Sequence, residues 1–261
     1  MMAEQKQPLT RQQFVQRLRR SGSSRYQDKH PFTEILNEGK LTKTQLQAYI
    51  LNWYYFEKMI PQKDAGIISN CPIPEVRRMW VSRILRHDGY GDIEGATEGW
   101  LKLCQAAGID RNTVMRSRFL PGVRLAIDSY VQYAKSKTWL EGIATSLTQV
   151  FLPRLVERRV NAFVKHYEEY VSPKGLEYFM SLQNAAREGS KVALDLVLRY
   201  AATREAQEMV TNAVLYMDDV LWSILDAIYS AYVVRKMSLS ASIELPEKIM
   251  RLYHKSAIVK E

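Results

Sequence analysis

The sequence predicts an all-α protein folded as a single bundle of about seven or more helices. Three observations predict it. Only 12 Gly and 9 Pro occur in 261 residues, and the rest is rich in Leu, Ala, Gln, Arg and Lys, which favour helix. Apolar residues recur at three- and four-residue steps over long stretches, as one face of a helix requires. No segment alternates cleanly with a period of two over six residues, so no sheet is predicted. With 46% hydrophobic residues the chain can bury a sizeable core. The bundle is assigned to residues 1–236. The polar tail, 237–261, is expected to be unstructured or to dock on a partner.

In order, Thr10 to Arg20 reads as a short amphipathic helix with Phe14 and Leu18 inward, ended by Ser21, Gly22, Ser23 and Ser24. Pro31 suits the first turn of the next helix, which Gly39 closes. Thr42 is a good N-cap for the organising stretch, Leu46 to Cys71. There Leu46, Tyr49, Ile50, Trp53, Phe56 and Ile60 share one face, beside Glu57 and Lys58. Pro61 is expected to kink or interrupt it ahead of Lys63 and Asp64. Glu75 to His87 is the next helix, with Trp80, Val81 and Ile84 inward and Asp88-Gly89 as its stop. Ile93 to Ala107 follows and ends at Gly108, and Asp110 to Phe119 is a connector with one helical turn. After the Leu120-Pro121-Gly122 break, Val123 to Lys137 is helical. Thr138 caps a long stretch to Tyr167, which Pro153 should kink or split. Ser172-Pro173 opens a helix toward Tyr200. Thr203 to Lys236 is the last, with Met217, Val220, Leu221, Ile224, Ile228 and Ala231 as its core stripe.

Two cysteines, Cys71 and Cys104, make neither a disulfide framework nor a zinc cage, and a reducing cytoplasm is the expected compartment. Asp226 interrupts the most apolar run before it reaches spanning length, and no apolar leader is seen. The net charge of +9 fits nucleic acid, an acidic membrane surface or an anionic small substrate. The basic residues fall in short clusters (17–20, Arg77-Arg78, Arg83 with Arg86, 154–159), the usual pattern of a solvated surface.

The chain has no GxGxxG, no P-loop and no GxSxG elbow. Its four histidines are dispersed and none stands in a Glu-x-x-His pair, which disfavours a dinuclear metal centre. What remains is a helical cavity lined by aromatics, Arg, Lys and a few acids. Such a cavity suits a planar anionic ligand held by stacking and charge-assisted hydrogen bonds.

Five blocks carry a resemblance: IPQKDAGIISNCP from Ile60, RILRHDG from Arg83, IEGATEGWLKL from Ile93, LPGVRLAIDSY from Leu120 and VLWSILDAIYSAY from Val220. In this order and spacing the chain resembles the pyrroloquinoline quinone (PQQ) synthase family, of the haem-oxygenase-like, TENA-like helical superfamily. The resemblance covers about Leu9 to Val234. It implies a seven-helix bundle, commonly a homodimer. It also implies an oxidase without metal or flavin, which closes the last ring of a reduced quinone precursor and passes electrons to O2, releasing hydrogen peroxide. No nucleic-acid or membrane partner is implied.

Position by position, the resemblance makes His87 a proton-transfer group and places Tyr178 near O2. It gives Tyr130 and Arg159 to substrate binding, with Lys63, Glu57, Trp53 and Gln149 as further candidates in the substrate wall. The chain departs from the family pattern at Gln27 and Val156 (His in the family), Trp53 and Leu182 (Arg), Glu57 (Gln), Gln149 (Glu) and Met217 (Lys). These exchanges remove cations and add aromatic and apolar wall. A polycarboxylate should therefore bind less well, because an unpaired carboxylate is costly to bury. The expected activity is a cofactorless, PQQ-synthase-like oxidase with a changed substrate. The alternatives are a non-catalytic ligand- or partner-binding homologue and, with less support, a metal-dependent oxygenase of the same superfamily.

Overall fold

The structure is a computed structural model and describes residues 7–243. Thr10 forms a capping box with Gln13 and starts α1, Arg11–Ser24. The helix runs through the Ser-Gly-Ser-Ser segment expected to end it, because Gly22 packs inward. A Cβ there would lie 2.9 Å from Phe151 Cε2 and 3.1 Å from Val214 Cγ1. The α2 helix, Pro31–Asn37, has Pro31 in its first turn, with Gly39 beyond its end at φ 74°.

The α3 helix, Lys43–Asn70, is the axis of the fold. Thr42 caps it through a box with Gln45. Pro61 does not interrupt it: helix continues on both sides, and the missing N–H falls opposite the Glu57 carbonyl. Burial is not confined to the expected stripe. Ala48, Leu51, Asn52 and Tyr54 are buried as well, since α3 is packed on several sides, by α4 (Pro74–Asp88), α5 (Ala96–Ala106) and α7 (Pro121–Ser136).

The inner face of α4 is Val76, Trp80, Arg83 and His87. Val81 is exposed and Ile84 only half-buried, so the expected face was rotated toward the apolar residues and away from two inward polar ones. Gly89, at φ 90°, ends α4 and begins a two-residue strand, β1 (Gly89–Tyr90), paired antiparallel with β2 (Ile93–Glu94). This small ribbon replaces the first turn predicted for α5. The connector holds α6, Arg111–Arg116, capped by Asp110.

The stretch from Thr138 does split, but ahead of Pro153. It comprises α8 (Trp139–Ala144), a 3₁₀ segment (Thr145–Phe151) and α9 (Leu152–His166). Pro153 sits in the first turn of α9, where its missing N–H costs nothing. A 3₁₀ turn, Pro173–Leu176, precedes α10 (Glu177–Tyr200), and the Ser172 side chain makes no cap bond. The last long helix is α11, Arg204–Ile228, continued by a π-helical turn, Tyr229–Val234. All six residues of its predicted stripe are buried.

Met237–Ile243, at the start of the polar tail, folds back and includes α12, Ser240–Ile243. The rest of the tail, 244–261, lies outside the described residues. One apolar cluster gathers α3, α5, α7, α9 and α11, and a second joins α1, α4, α8, α10 and α11. Among the described residues no helix is long and apolar enough to cross a membrane.

Candidate active site

A cavity of about 380 Å³ opens among α3, α4, α5, α9, α10 and α11. Trp53, Glu57, Lys63, His87, Tyr130, Gln149, Arg159 and Tyr178 all line it. Of the seven departures from the family pattern, Gln27, Trp53, Glu57, Gln149, Leu182 and Met217 line it too. Val156 is buried.

Glu57, one turn after Trp53 on α3, is the chemical centre. Its Oε1 accepts from Trp53 Nε1 at 3.1 Å, while its Oε2 has no hydrogen-bond partner and lies 4.0 Å from His87 Nδ1. Burial pushes its carboxyl up to about 7, against the opposing pull of Tyr178, Trp53 and Arg159. Burial, reinforced by the charge on Arg83, drives the His87 imidazole down to about 3, so His87 is neutral at pH 7. Its Nδ1 is unpartnered. The Tyr178 hydroxyl lies beside Glu57 without a bond of good geometry, and burial first, then Glu57, hold it well above the usual phenol range. Arg159 places its guanidinium over the rings of Tyr49 (5.2 Å) and Trp53 (5.9 Å) and leaves Nε unpaired. Buried polar atoms are ordinarily paired. Here Glu57 Oε2, His87 Nδ1, Tyr178 OH and Arg159 Nε are all left open in one cavity wall. A ligand with donors and acceptors would complete them.

The other candidates are already engaged. Lys63 donates to Asp64 Oδ1 at 2.6 Å, and Arg83 Nε donates to Asp64 Oδ2 at 3.3 Å. Trp80 Nε1 donates to Asp64 Oδ1 at 2.8 Å. Burial alone would raise the Asp64 carboxyl, but the Lys63 and Arg83 charges together outweigh it and hold it below the usual range. The Tyr130 hydroxyl bonds Thr145 at 3.1 Å, and its ring lies 5.4 Å from Lys63 Nζ. Gln149 Oε1 accepts from Arg83 Nη1 at 3.2 Å.

Sequence reading placed Arg83 and Arg86 among surface charges. Arg83 is instead 4% exposed, and both line the cavity. The available signal was spacing: Arg83 stands one turn before His87, so an inward His87 carries Arg83 inward with it. Trp100, on α5, also forms cavity wall, edge-on to Tyr178 with ring centres 4.9 Å apart. Of the 154–159 cluster only Arg159 turns in. Among the described residues no three His, Cys, Asp or Glu side chains stand where they could hold a metal ion.

The sequence pattern of the TENA/THI-4/PQQC family matches residues 15–227. A protein of Cronobacter sakazakii named pyrroloquinoline-quinone synthase is 40% identical over 225 residues, spanning 86% of this chain and 89% of that one. Proteins of the same name from Pseudomonas putida and Pseudomonas aeruginosa are 39% and 40% identical, over the same shares of each chain. A domain with a heme oxygenase-like fold from Shewanella denitrificans superposes with a TM-score of 0.73 at 15% identity, covering 87% of this chain and 95% of that one. A TenA homolog from Pseudomonas syringae gives 0.64 at 12% identity, covering 87% and 99%.

Proposed function

The chain belongs to the TENA/THI-4/PQQC family, and we propose that it is a PQQ-synthase-like oxidoreductase that passes electrons from a small planar, anionic quinone precursor to O2. The observation that carries this reading is the convergence of Glu57, His87, Tyr178 and Arg159, each with an unsatisfied polar atom, on one aromatic cavity. Each two-electron step converts a hydroquinone and O2 into a quinone and hydrogen peroxide, and both hydroquinone protons must leave. Neutral His87 takes one at Nδ1 and relays it to the ionised form of Glu57, whose Oε2 is 4.0 Å away and is the stronger base of the two. Glu57 returns that proton to reduced oxygen, and the second hydroquinone proton follows the same route, so two protons and two electrons make the peroxide. Tyr178, un-ionised, donates a hydrogen bond to oxygen as negative charge develops there. Arg159 holds the planar ring system beside Trp53. In this reading no metal or flavin takes part. The site works in the cytoplasm as part of a homodimer, and neither nucleic acid nor membrane is a partner.

The test is oxygen uptake by metal-stripped protein supplied with the reduced PQQ precursor, with quinone followed by absorbance and peroxide by a coupled assay. Oxygen loss with stoichiometric peroxide is expected, and His87→Ala should lower it at least about 100-fold. A second reading, a ligand-binding homologue without turnover, is favoured by the apolar wall of Trp53, Leu182 and Met217. A folded protein that binds the precursor and consumes no oxygen would decide for it.

A further inference from the structure

Tyr178 and Gly189 lie eleven residues apart on α10, on nearly the same face, so the helix rise separates them by about 16 Å. Trp53 and Lys63 stand about 15 Å apart on α3 by the same measure. The cavity thus has two ends. One holds Trp53, Trp100 and Tyr178, with Arg159 and Glu57 of opposite sign. The other holds Lys63, Arg83 and Arg86 beside Gln149.

At the second end the charges do not balance. Lys63 and Arg83 share the single carboxylate of Asp64. Among the described residues Arg86 has neither a hydrogen bond nor an ion pair, and Asp64 and the exposed Glu188 reach it only through space. Burial and the adjacent Arg83 both lower the proton affinity of Arg86 against the weaker opposing pull of Asp64 and Glu188, and Lys63, Arg83 and Arg86 meet here around the one buried carboxylate of Asp64. The backbone makes room for Arg83, with Arg86 in ordinary contact beside it. A Cβ on Gly189 would lie 2.9 Å from Arg83 Nη1, 3.2 Å from Gln149 Oε1 and 3.7 Å from Arg86 Nη2. A glycine inside a helix costs stability, so its position here against the Arg83 guanidinium and the Gln149 amide has a steric reason.

We propose that Arg86, supported by Arg83, is an oxyanion subsite that holds a carboxylate at one end of an elongated aromatic substrate whose ring system lies between Trp53 and Tyr178. This rests on the oxidase reading for the site and adds the substrate class: an aromatic acid with its charge at one end, in place of one carrying carboxylates all round. Arg86 is then a specificity residue, and it acts by direct charge-assisted bonding.

The probes are quinoline-2-carboxylate and its neutral isostere quinoline-2-carboxamide, titrated calorimetrically into the whole protein. The acid should bind at least about tenfold tighter than the amide, as a charge-assisted bond predicts. Arg86→Gln should erase that preference without weakening the amide, and Arg86→Lys should restore part of it. Thermal melts establish that each variant is folded. Equal binding of acid and amide, an unchanged preference in Arg86→Gln, or no binding of either probe overturns the subsite. If the acid preference depends on Arg86 but neither the reduced PQQ precursor nor an aromatic hydroquinone bearing a single carboxylate draws oxygen, the subsite stands and the oxidase reading falls.

Discussion

Glu57 and His87 are held off their ordinary protonation states in opposite senses, and the consequences can be signed. His87 falls from 6.5 to about 3 on folding. Below pH 6.5 the unfolded chain gains a proton that the native protein refuses. The stability owed to neutral His87 is therefore full above pH 6.5 and drains as pH falls toward 3, by about 3 kcal/mol at pH 4. Melts of His87→Gln followed by circular dichroism should show a smaller loss of Tm between pH 6.5 and 4 than the unsubstituted protein. An equal loss would show that His87 is solvated in the native state. Glu57 rises from 4.5 to about 7, so its contribution is complete below 4.5 and is lost as pH climbs to 7. Asp218 behaves like Glu57. It is 1% exposed, neither oxygen has a hydrogen-bond partner, and burial together with Asp219 raises it from 3.8 to about 8. Asp218→Asn keeps the shape and removes the ionisation. It should change Tm little near pH 4 and raise it progressively more as pH climbs to 8, because the unfolded carboxyl ionises from 3.8 upward while the native one does not. These environments are invisible in sequence, because one Glu or His letter serves a surface and a cavity alike; only the neighbours brought by other helices set the pKa.

Helices, by contrast, announce themselves through their ends. Thr42 and Thr138 each begin a helix with a glutamine or glutamate three residues on, and both boxes form. Thr138→Ala should therefore cost about 1 kcal/mol in denaturant unfolding, through the lost cap on α8 alone. The stripe of α11 and the N-terminal position of Pro31 were legible for the same local reasons. The errors arose where a local rule met long-range packing. Gly22 looks like a terminator but is a contact point for Phe151 and Val214. Pro61 looks like a break, yet α3 is packed on so many sides that losing one backbone bond does not part it. On α4, apolar Val81 and Ile84 suggested an inner face that Arg83 and His87 in fact occupy, since a polar cavity draws polar residues inward against the usual pattern. Gly142 shows the opposite limit. A Cβ there would come within 2.6 Å of Ile67 Cγ1, so Gly142→Ala should push α8 off α3 and lose about 1–3 kcal/mol, read as a lower denaturation midpoint.

Across the whole molecule, one residue in the polar tail ties three distant pieces of chain together. Ser242 is fully buried. Its carbonyl accepts from the backbone N–H groups of Arg118 (2.8 Å) and Phe119 (3.1 Å), and its hydroxyl pairs with Tyr232 and accepts from Asn52 Nδ2 at 3.1 Å. Phe119 is one of two described non-glycine residues with positive φ, at 56°, a conformation that costs free energy unless its surroundings enforce it. Asn52 Oδ1 accepts from Leu120 N–H at 2.8 Å and completes the clamp on this turn into α7. Two truncations separate the contribution of the strap from that of the chain beyond it. A protein ending at Ile243 keeps every one of these bonds, and one ending at Lys236 loses all of those made by Ser242. The shorter protein should be less stable by about 2–4 kcal/mol, since water can satisfy only part of what is left unpaired. It should also bind aromatic ligands more weakly, because Asn52 immediately precedes Trp53 on α3 and the clamp helps fix how that helix faces the cavity. If the two truncated proteins melt alike, the strap lies on the bundle without holding it, and the placement of Trp53 and Glu57 depends on α3 packing alone.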